Sequence, residues 1–262
     1  MTITHPFLDH VGPIAFAHRG GTSLGPENTM RAFEAAVALG YSYLETDVHA
    51  TADGVLVAFH DDTLDRVTDH AGPVAAMTWA ELRPVRVAGT EPVVRFDELL
   101  EAMPDVRINV DPKHDAAVDP LIRAVRRAGA LDRLCIGAVS DRRVGQIRSA
   151  FGSAVCTAFE TREVAALRLF ASGVRPFRAA LQRRPGHCVQ VPVRWHGVTV
   201  VDKAFVAAAH DVGLPVHVWT INEPDEMEWL LDLGVDGLMT DRPELLRDIL
   251  VRRDAWPSRP TG

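Results

Sequence analysis

A (β/α)8 barrel, the TIM-barrel architecture, is the α/β fold this sequence predicts, on three observations. The chain has 262 residues, close to the length at which such a barrel closes as one unit. Eight β-like runs alternate with helical patterns from one end to the other, the signature of parallel βα units. Several of the helical patterns stop at glycine, as expected where the residue after a helix must adopt the left-handed conformation.

The runs, in order, are Ile14 to His18, Tyr43 to Val48, Val106 to Val110, Leu134 to Val139, Ala154 to Phe159, Val189 to Val193, Val216 to Ile221 and Gly237 to Thr240. Each is apolar and ends near polar residues, as strands buried on both faces should. Between them the apolar period predicts helices over Thr29 to Leu39, Asp119 to Ala128, Arg142 to Phe151, Lys203 to Val212, Glu223 to Leu233 and Pro243 to Arg252. Gly40, Gly129, Gly213 and Gly234 follow four of these. Asn222 stands where an N-cap of the helix after it is expected.

One stretch breaks the rhythm. Ala52-Asp53-Gly54-Val55 between apolar runs predicts a two-residue hairpin turn after the second run. With Asp53 and Gly54 as the central pair, cross-strand partners sum to 107, which sets Asp47 opposite His60. Glu45 and Asp47 share a face by the strand period, so two carboxylates and an imidazole would meet. Beyond the hairpin, Pro73, Pro84 and Pro92 and two short helix-like segments, Trp79 to Leu82 and Phe96 to Met103, indicate an insertion over residues 61–105 on the barrel rim. Segments of this kind usually bind or cover a site. We therefore expect a single domain over 1–262, with a tail that frays from Trp256 through Pro257, Pro260 and Gly262.

Composition narrows the function. With 47% hydrophobic and 24% charged residues the chain can bury a large core. A formal net charge of −7 argues against nucleic acid, whose binders carry basic patches. The first twenty residues show no secretory leader, and no stretch suits a bilayer, so we expect a cytoplasmic protein without stable membrane insertion. The sequence leaves homo-oligomerisation open. Cys135, Cys156 and Cys188 are odd in number and lack the close spacing of zinc sites, so they read as buried free thiols.

Motifs gather at the ends of the runs, where parallel barrels build their sites. They are His18-Arg19-Gly20, Pro26-Glu27-Asn28-Thr29, Glu45-Thr46-Asp47, His60-Asp61, Arg66-Val67-Thr68, Asp111-Pro112-Lys113, Trp219-Thr220-Ile221-Asn222 and Thr240-Asp241-Arg242-Pro243. Taken in order, from about residue 14 to residue 250, this series resembles the glycerophosphodiester phosphodiesterase family. The resemblance implies a (β/α)8 barrel with one divalent cation and two histidines. It also implies cleavage of a phosphodiester to glycerol 3-phosphate and an alcohol, through a cyclic phosphate made by the substrate's own hydroxyl and opened by water.

The residues suit that chemistry. Glu45, Asp47 and Asp111 offer only oxygen, which favours Mg²⁺ or Ca²⁺ over zinc. The family position matched by Asp111 is often Glu, so the ion here would be met by a shorter arm. His18 and His60 are the acid and base, in an order the sequence does not assign. Arg19 and Lys113 would hold phosphate by a planar fork and a point charge. Glu27 matches a family site residue, although Glu27 and Asn28 could equally cap the first helix. Trp219 would line the glycerol or alcohol pocket, and Glu160 could point into the mouth. The rim segments 61–103 and 170–186 are expected to select the headgroup. Two other readings stay open: a phospholipase of similar barrel acting on lysophospholipids, and a non-catalytic barrel that binds glycerophosphate esters.

Overall fold

The computed structural model describes residues 5–257. The barrel wall is built from β1 (Ile14–His18), β2 (Tyr43–Ala50), β3 (Arg107–Pro112), β4 (Leu134–Ile136), β5 (Cys156–Thr157), β6 (Val189–Pro192), β7 (Val216–Trp219) and β8 (Gly237–Thr240). They pair in parallel in the order β6-β7-β8-β1-β2-β3-β4-β5. The circle closes between β5 and β6 through a parallel bridge from Ala158 to Cys188, where the Phe159 N–H donates to the Cys188 carbonyl at 2.8 Å. The expected (β/α)8 barrel is therefore observed, and its thinnest seam lies at β5–β6.

Around it run α1 (Met30–Ala38), α2 (Phe96–Ala102), α3 (Val118–Ala128), α4 (Asp141–Phe151), α5 (Thr161–Ala171), α6 (Phe177–Leu181), α7 (Lys203–Asp211), α8 (Pro224–Leu233) and α9 (Pro243–Arg252). Strand side chains alternate between two apolar layers. Ala15, Leu44, Ile108, Ile136, Val191, Val218 and Leu238 face the helices in the main core. Phe16, Tyr43, Cys135, Cys156, Cys188 and Met239 pack together inside the barrel. Each large side chain so buried contributes about 1.5–3 kcal/mol. Glycine ends α3 and α8 as expected, Gly129 at φ 58° and Gly234 at φ 85°.

Two predicted caps act elsewhere. Thr29, not Asn28, caps α1 by accepting from the Ala32 N–H. Asn222 does not cap α8; its amide bonds Asp241 and Thr240 across the barrel mouth. Helices α5 and α6 occupy part of the stretch read as a rim loop over 170–186.

The hairpin differs by one residue. Val48 pairs Ala58 and His49 pairs Val57, so partners sum to 106. Thr51 N–H donates to Val55 O, and its hydroxyl accepts from the Val55 N–H, both at 2.9 Å. This closes a three-residue loop with Gly54 at φ 78°, the loop class that ends in a left-handed residue. Asp47 therefore faces Phe59, whose N–H donates to the Asp47 carbonyl. The insertion shares a small core with the hairpin, Leu64, Val74, Leu82 and Val85 packing with Val57 and Phe59, and the barrel helix α2 begins at Phe96, inside the span assigned to the insertion. Trp256 does not fray: its ring packs on Tyr41 at 5.1 Å between centroids. Pro260 and Gly262 lie outside the described residues. No helix among the described residues is long and apolar enough to cross a membrane.

Candidate active site

β1 delivers His18 to the barrel mouth and then turns sharply, with Arg19 at φ 52° and Gly20 at φ 85°. A Cβ on Gly20 would stand 2.8 Å from the Ala32 Cβ and 3.0 Å from the α1 backbone, so only glycine lets the turn close onto the helix. Next to it, β2 and β3 run in register with Asp47 beside Asp111. Adjacent residues at one level of a parallel pair project to the same face, and both carboxylates enter the mouth with Glu45 one step below.

A cavity of about 530 Å³ opens there. One wall is polar, with His18, Arg19, Glu45, Asp47, His60, Asp111 and Lys113; the other carries Phe159, Val164, Trp195, Val198, Val200 and Trp219. Eight of the nine site residues read from the sequence thus share one cavity: the seven of the polar wall, and Trp219. Glu27 is the exception. Its carboxylate is bound by Arg66 at 2.7 and 2.8 Å and by Arg19 at 3.1 Å, which makes it a brace for Arg19 rather than a wall of the cavity. Glu160 also stays out of the cavity, paired with Arg148 at 2.8 Å at the start of α5.

His60 arrives by a route the hairpin register does not supply. It follows the hairpin strand Leu56–Ala58, and its backbone carbonyl bonds His49 Nε2. Its Nδ1 lies 2.6 Å from Asp61 Oδ1, and Asp61 is held in turn by Arg66. His18 is built the same way, with Nδ1 at 2.7 Å from Asp241 Oδ1 and Asp241 fixed by the Asn222 amide. A carboxylate only accepts, so each Nδ1 carries the proton and each Nε2 is left for chemistry. Burial pulls the His18 pKa down, but Glu45 and the bond to Asp241 outweigh it, and the pKa rises above its ordinary value. Arg66 and His60 together hold the Asp61 carboxyl far below the usual range, against a smaller effect of burial.

The acids and cations interlock. Lys113 Nζ sits 2.7 Å from both Asp47 and Asp111, and Arg19 lies 3.0 Å from the second oxygen of Asp47. The Arg19 N–H donates to Glu45 at 3.1 Å. Asn28, buried at φ 56°, donates to Asp47 and accepts from Thr46. Despite burial, Lys113 and Arg19 keep the Asp47 carboxyl below its ordinary pKa. Burial, then Asp47, push the Glu45 carboxyl up to about 7. Burial likewise raises Asp111, whose Oδ1 is buried with no hydrogen-bond partner. These two acids are short of positive charge, which a hard divalent cation would supply, and the all-oxygen donor set suits such an ion in kind; in this structure Lys113 stands between Asp47 and Asp111, and the oxygens of Glu45, Asp47 and Asp111 do not all gather within 4.8 Å of one another.

Asp61 and Asp241 hold the two imidazoles, and the motif reading gave them no role. Their signal was in the sequence: Asp61 adjoins His60, and Asp241 follows the last residue of β8. Apart from Trp219, the apolar wall left no such signal. It comes from Phe159 to Ala165 and from a hairpin, Arg194–Trp195 against Val198–Thr199, while neither 61–103 nor 170–186 lines the cavity.

Comparison with known proteins adds four findings. The model of the glycerophosphoryl diester phosphodiesterase family matches residues 18–245. A Mycobacterium tuberculosis protein named "Probable glycerophosphodiester phosphodiesterase 2" is 38% identical, over 97% of this chain and 96% of its own. The human protein named lysophospholipase D GDPD1 is 28% identical, over 89% of this chain and 85% of its own. Among solved structures, an Oleispira antarctica phosphodiesterase in complex with the product sn-glycerol-3-phosphate superimposes with a TM-score of 0.76 at 20% identity, over 92% of this chain and 97% of that one.

Proposed function

Because the chain belongs to the glycerophosphoryl diester phosphodiesterase family, we propose that it hydrolyses glycerophosphodiesters to glycerol 3-phosphate and an alcohol, using His18 and His60 as the acid–base pair and one Mg²⁺ or Ca²⁺ on Glu45, Asp47 and Asp111. The observation that carries this reading is the pair of imidazoles, each tied through Nδ1 to its own carboxylate and both lining the cavity that holds the acids and the two cations.

The chemistry follows from the charges. A phosphodiester is an anion, so a nucleophile reaches phosphorus only when the phosphate charge is neutralised. Arg19 and Lys113, already held at the mouth by Asp47, exchange part of that pairing for phosphate oxygens. The cation, when bound, would take up charge on the same oxygens and acidify a hydroxyl close to it. One ring enters neutral and its Nε2 accepts the proton of the attacking glycerol hydroxyl; the other enters as the imidazolium and gives its Nε2 proton to the departing alcohol. When water opens the cyclic phosphate, the two exchange roles. Asp61 and Asp241 hold the Nδ1–H of each ring, so that Nε2 is the atom that takes or gives the proton.

A substrate panel in Mg²⁺, Ca²⁺ or chelator tests this directly. Glycerol 3-phosphate should be released from glycerophosphocholine or glycerophosphoethanolamine with a cation and not in chelator; equal release in chelator contradicts the assignment.

A second reading has its own support. The wall opposite the acids is apolar, and its rim side chains Val139, Trp195 and Val198 are 55%, 43% and 64% exposed. An acyl chain would cover them, as the name of the human relative suggests. Hydrolysis of a lysophospholipid at a rate matching or exceeding that of glycerophosphocholine favours this reading.

A further inference from the structure

Below the cavity floor the barrel interior holds a second constellation, unrelated to the phosphate chemistry above it. Cys135 on β4, Cys156 on β5 and Cys188 at the foot of β6 are fully buried. They lie 21 and 32 residues apart in the chain, a spacing that hides any common role. The barrel cancels that separation: Cys135 and Cys156 are register partners, and Cys188 belongs to the bridge that closes the circle. Their sulfurs all lie within 4.8 Å of one another, and those of Cys135 and Cys188 are 3.8 Å apart. Zinc–sulfur bonds of about 2.3 Å at a tetrahedral angle place two sulfurs about 3.8 Å apart. A disulfide needs about 2.05 Å.

A fourth buried polar group stands on the neighbouring strand. His217 on β7 is fully buried and reaches this cluster through Gln190, with its ring nitrogens outside the group of sulfurs that gathers within 4.8 Å. Its Nε2 has no hydrogen-bond partner. A buried imidazole nitrogen without a partner is costly, and a metal ligand is what imidazole beside thiolate supplies. Gln190 completes the surroundings: its amide contacts Asn109 at 2.9 Å, Cys135 Sγ at 3.8 Å and His217 Nδ1 at 3.4 Å.

We propose that Cys135, Cys156 and Cys188 hold a structural zinc ion in the interior of the barrel, and that His217 is drawn in as the fourth ligand when the ion binds. Its place explains its use. The four ligands come from β4, β5, β6 and β7, on both sides of the seam where a two-residue strand and an isolated bridge are all that close the circle. An ion held there staples that seam from within. Binding replaces the thiol protons by the metal and releases them to solvent. Because the ligands are sealed from water, the ion enters as the chain folds and leaves only when it unfolds.

The test unfolds the full-length chain in reductant and chelator, then refolds it with or without Co²⁺ or Zn²⁺. The wild type should retain one Zn²⁺ per chain after gel filtration. With Co²⁺ it should show a thiolate-to-cobalt charge-transfer band, and the metal-loaded form should melt at a higher temperature than the apo form. Only sulfur ligands give that band, so cobalt on the carboxylates of the mouth does not mimic it. Cys188→Ala should lose the band and the shift in melting. His217→Asn, which keeps all three thiols, should weaken retention at least tenfold and alter the cobalt spectrum. Refolded wild type without the band, or a band unchanged in either variant, overturns the proposal, whatever the enzyme's turnover.

Discussion

At the scale of single residues, what separates this site from a mere gathering of charges is how each imidazole is held. His18 and His60 sit in different parts of the chain, yet each has its Nδ1 on a carboxylate that a third group fixes: Asn222 for Asp241 and Arg66 for Asp61. The pH dependence of stability tests the first of these dyads. Folding raises the His18 pKa, so its contribution is full below the ordinary 6.5 and fades as the pH climbs through the raised value. Folding lowers the Asp241 pKa, so its share is full above 3.8 and fades as the pH falls through the lowered value. The loss of stability in Asp241→Asn should therefore be greatest between pH 3.8 and 6.5 and shrink on either side. Its size there should be about 1.5–3 kcal/mol, the range for a hydrogen bond to a charged group. Denaturant titrations of both proteins in chelator, at a series of pH values, measure it; a difference that is flat across pH contradicts the dyad. His18, His60, Glu45 and Asp47 were legible in the sequence because strand ends name the mouth of a barrel. Glu27 stands outside the cavity because Arg66, distant in sequence, takes up its carboxylate, a contact that its position beside the motif does not reveal.

At the scale of elements, the turn after β1 and the hairpin after β2 decide where the reactive groups go. Gly20 is the tightest point: Gly20→Ala combines a strained φ of 85° with a methyl group pressed against α1. It should cost roughly 1–3 kcal/mol and displace Arg19. Thermal unfolding together with the KM for glycerophosphocholine checks this; an unchanged melting temperature would show that the close approach is not a constraint. The hairpin marks the limit of reading turns from dipeptides. Asp53-Gly54 did signal a turn, but the Thr51 hydroxyl closed a loop one residue longer and shifted the register. His60 still reaches the mouth, because it lies beyond the paired strand and is placed by Asp61 and its own carbonyl. The Arg194–Trp195 and Val198–Thr199 hairpin is the element to alter for specificity. Val198→Asp on its exposed rim should lower lysophospholipid hydrolysis at least tenfold and change glycerophosphocholine hydrolysis less than twofold; equal losses on both substrates would remove the acyl-chain reading.

At the scale of the whole molecule, the barrel lets distant sequence become one site, and the same property explains what was legible. The eight strands announced themselves by apolar runs and by glycine after helices, and their C-terminal ends gathered the polar motifs. What the sequence hid was contact among groups without local signals: the apolar wall from Val164 to Val200, and the three cysteines spread over three strands. Neither depends on neighbours in the chain, so no periodicity could reveal them. A net charge of −7 sets the global field against an anionic substrate, so the neutralising power must be local, in Arg19, Lys113 and the proposed cation. The most direct test of the account is the steady-state turnover of glycerophosphocholine by His18→Ala and His60→Ala beside the wild type, at saturating Mg²⁺ or Ca²⁺. Each variant should fold and bind substrate but lose roughly 10²- to 10⁴-fold in kcat; full turnover by either one would contradict it.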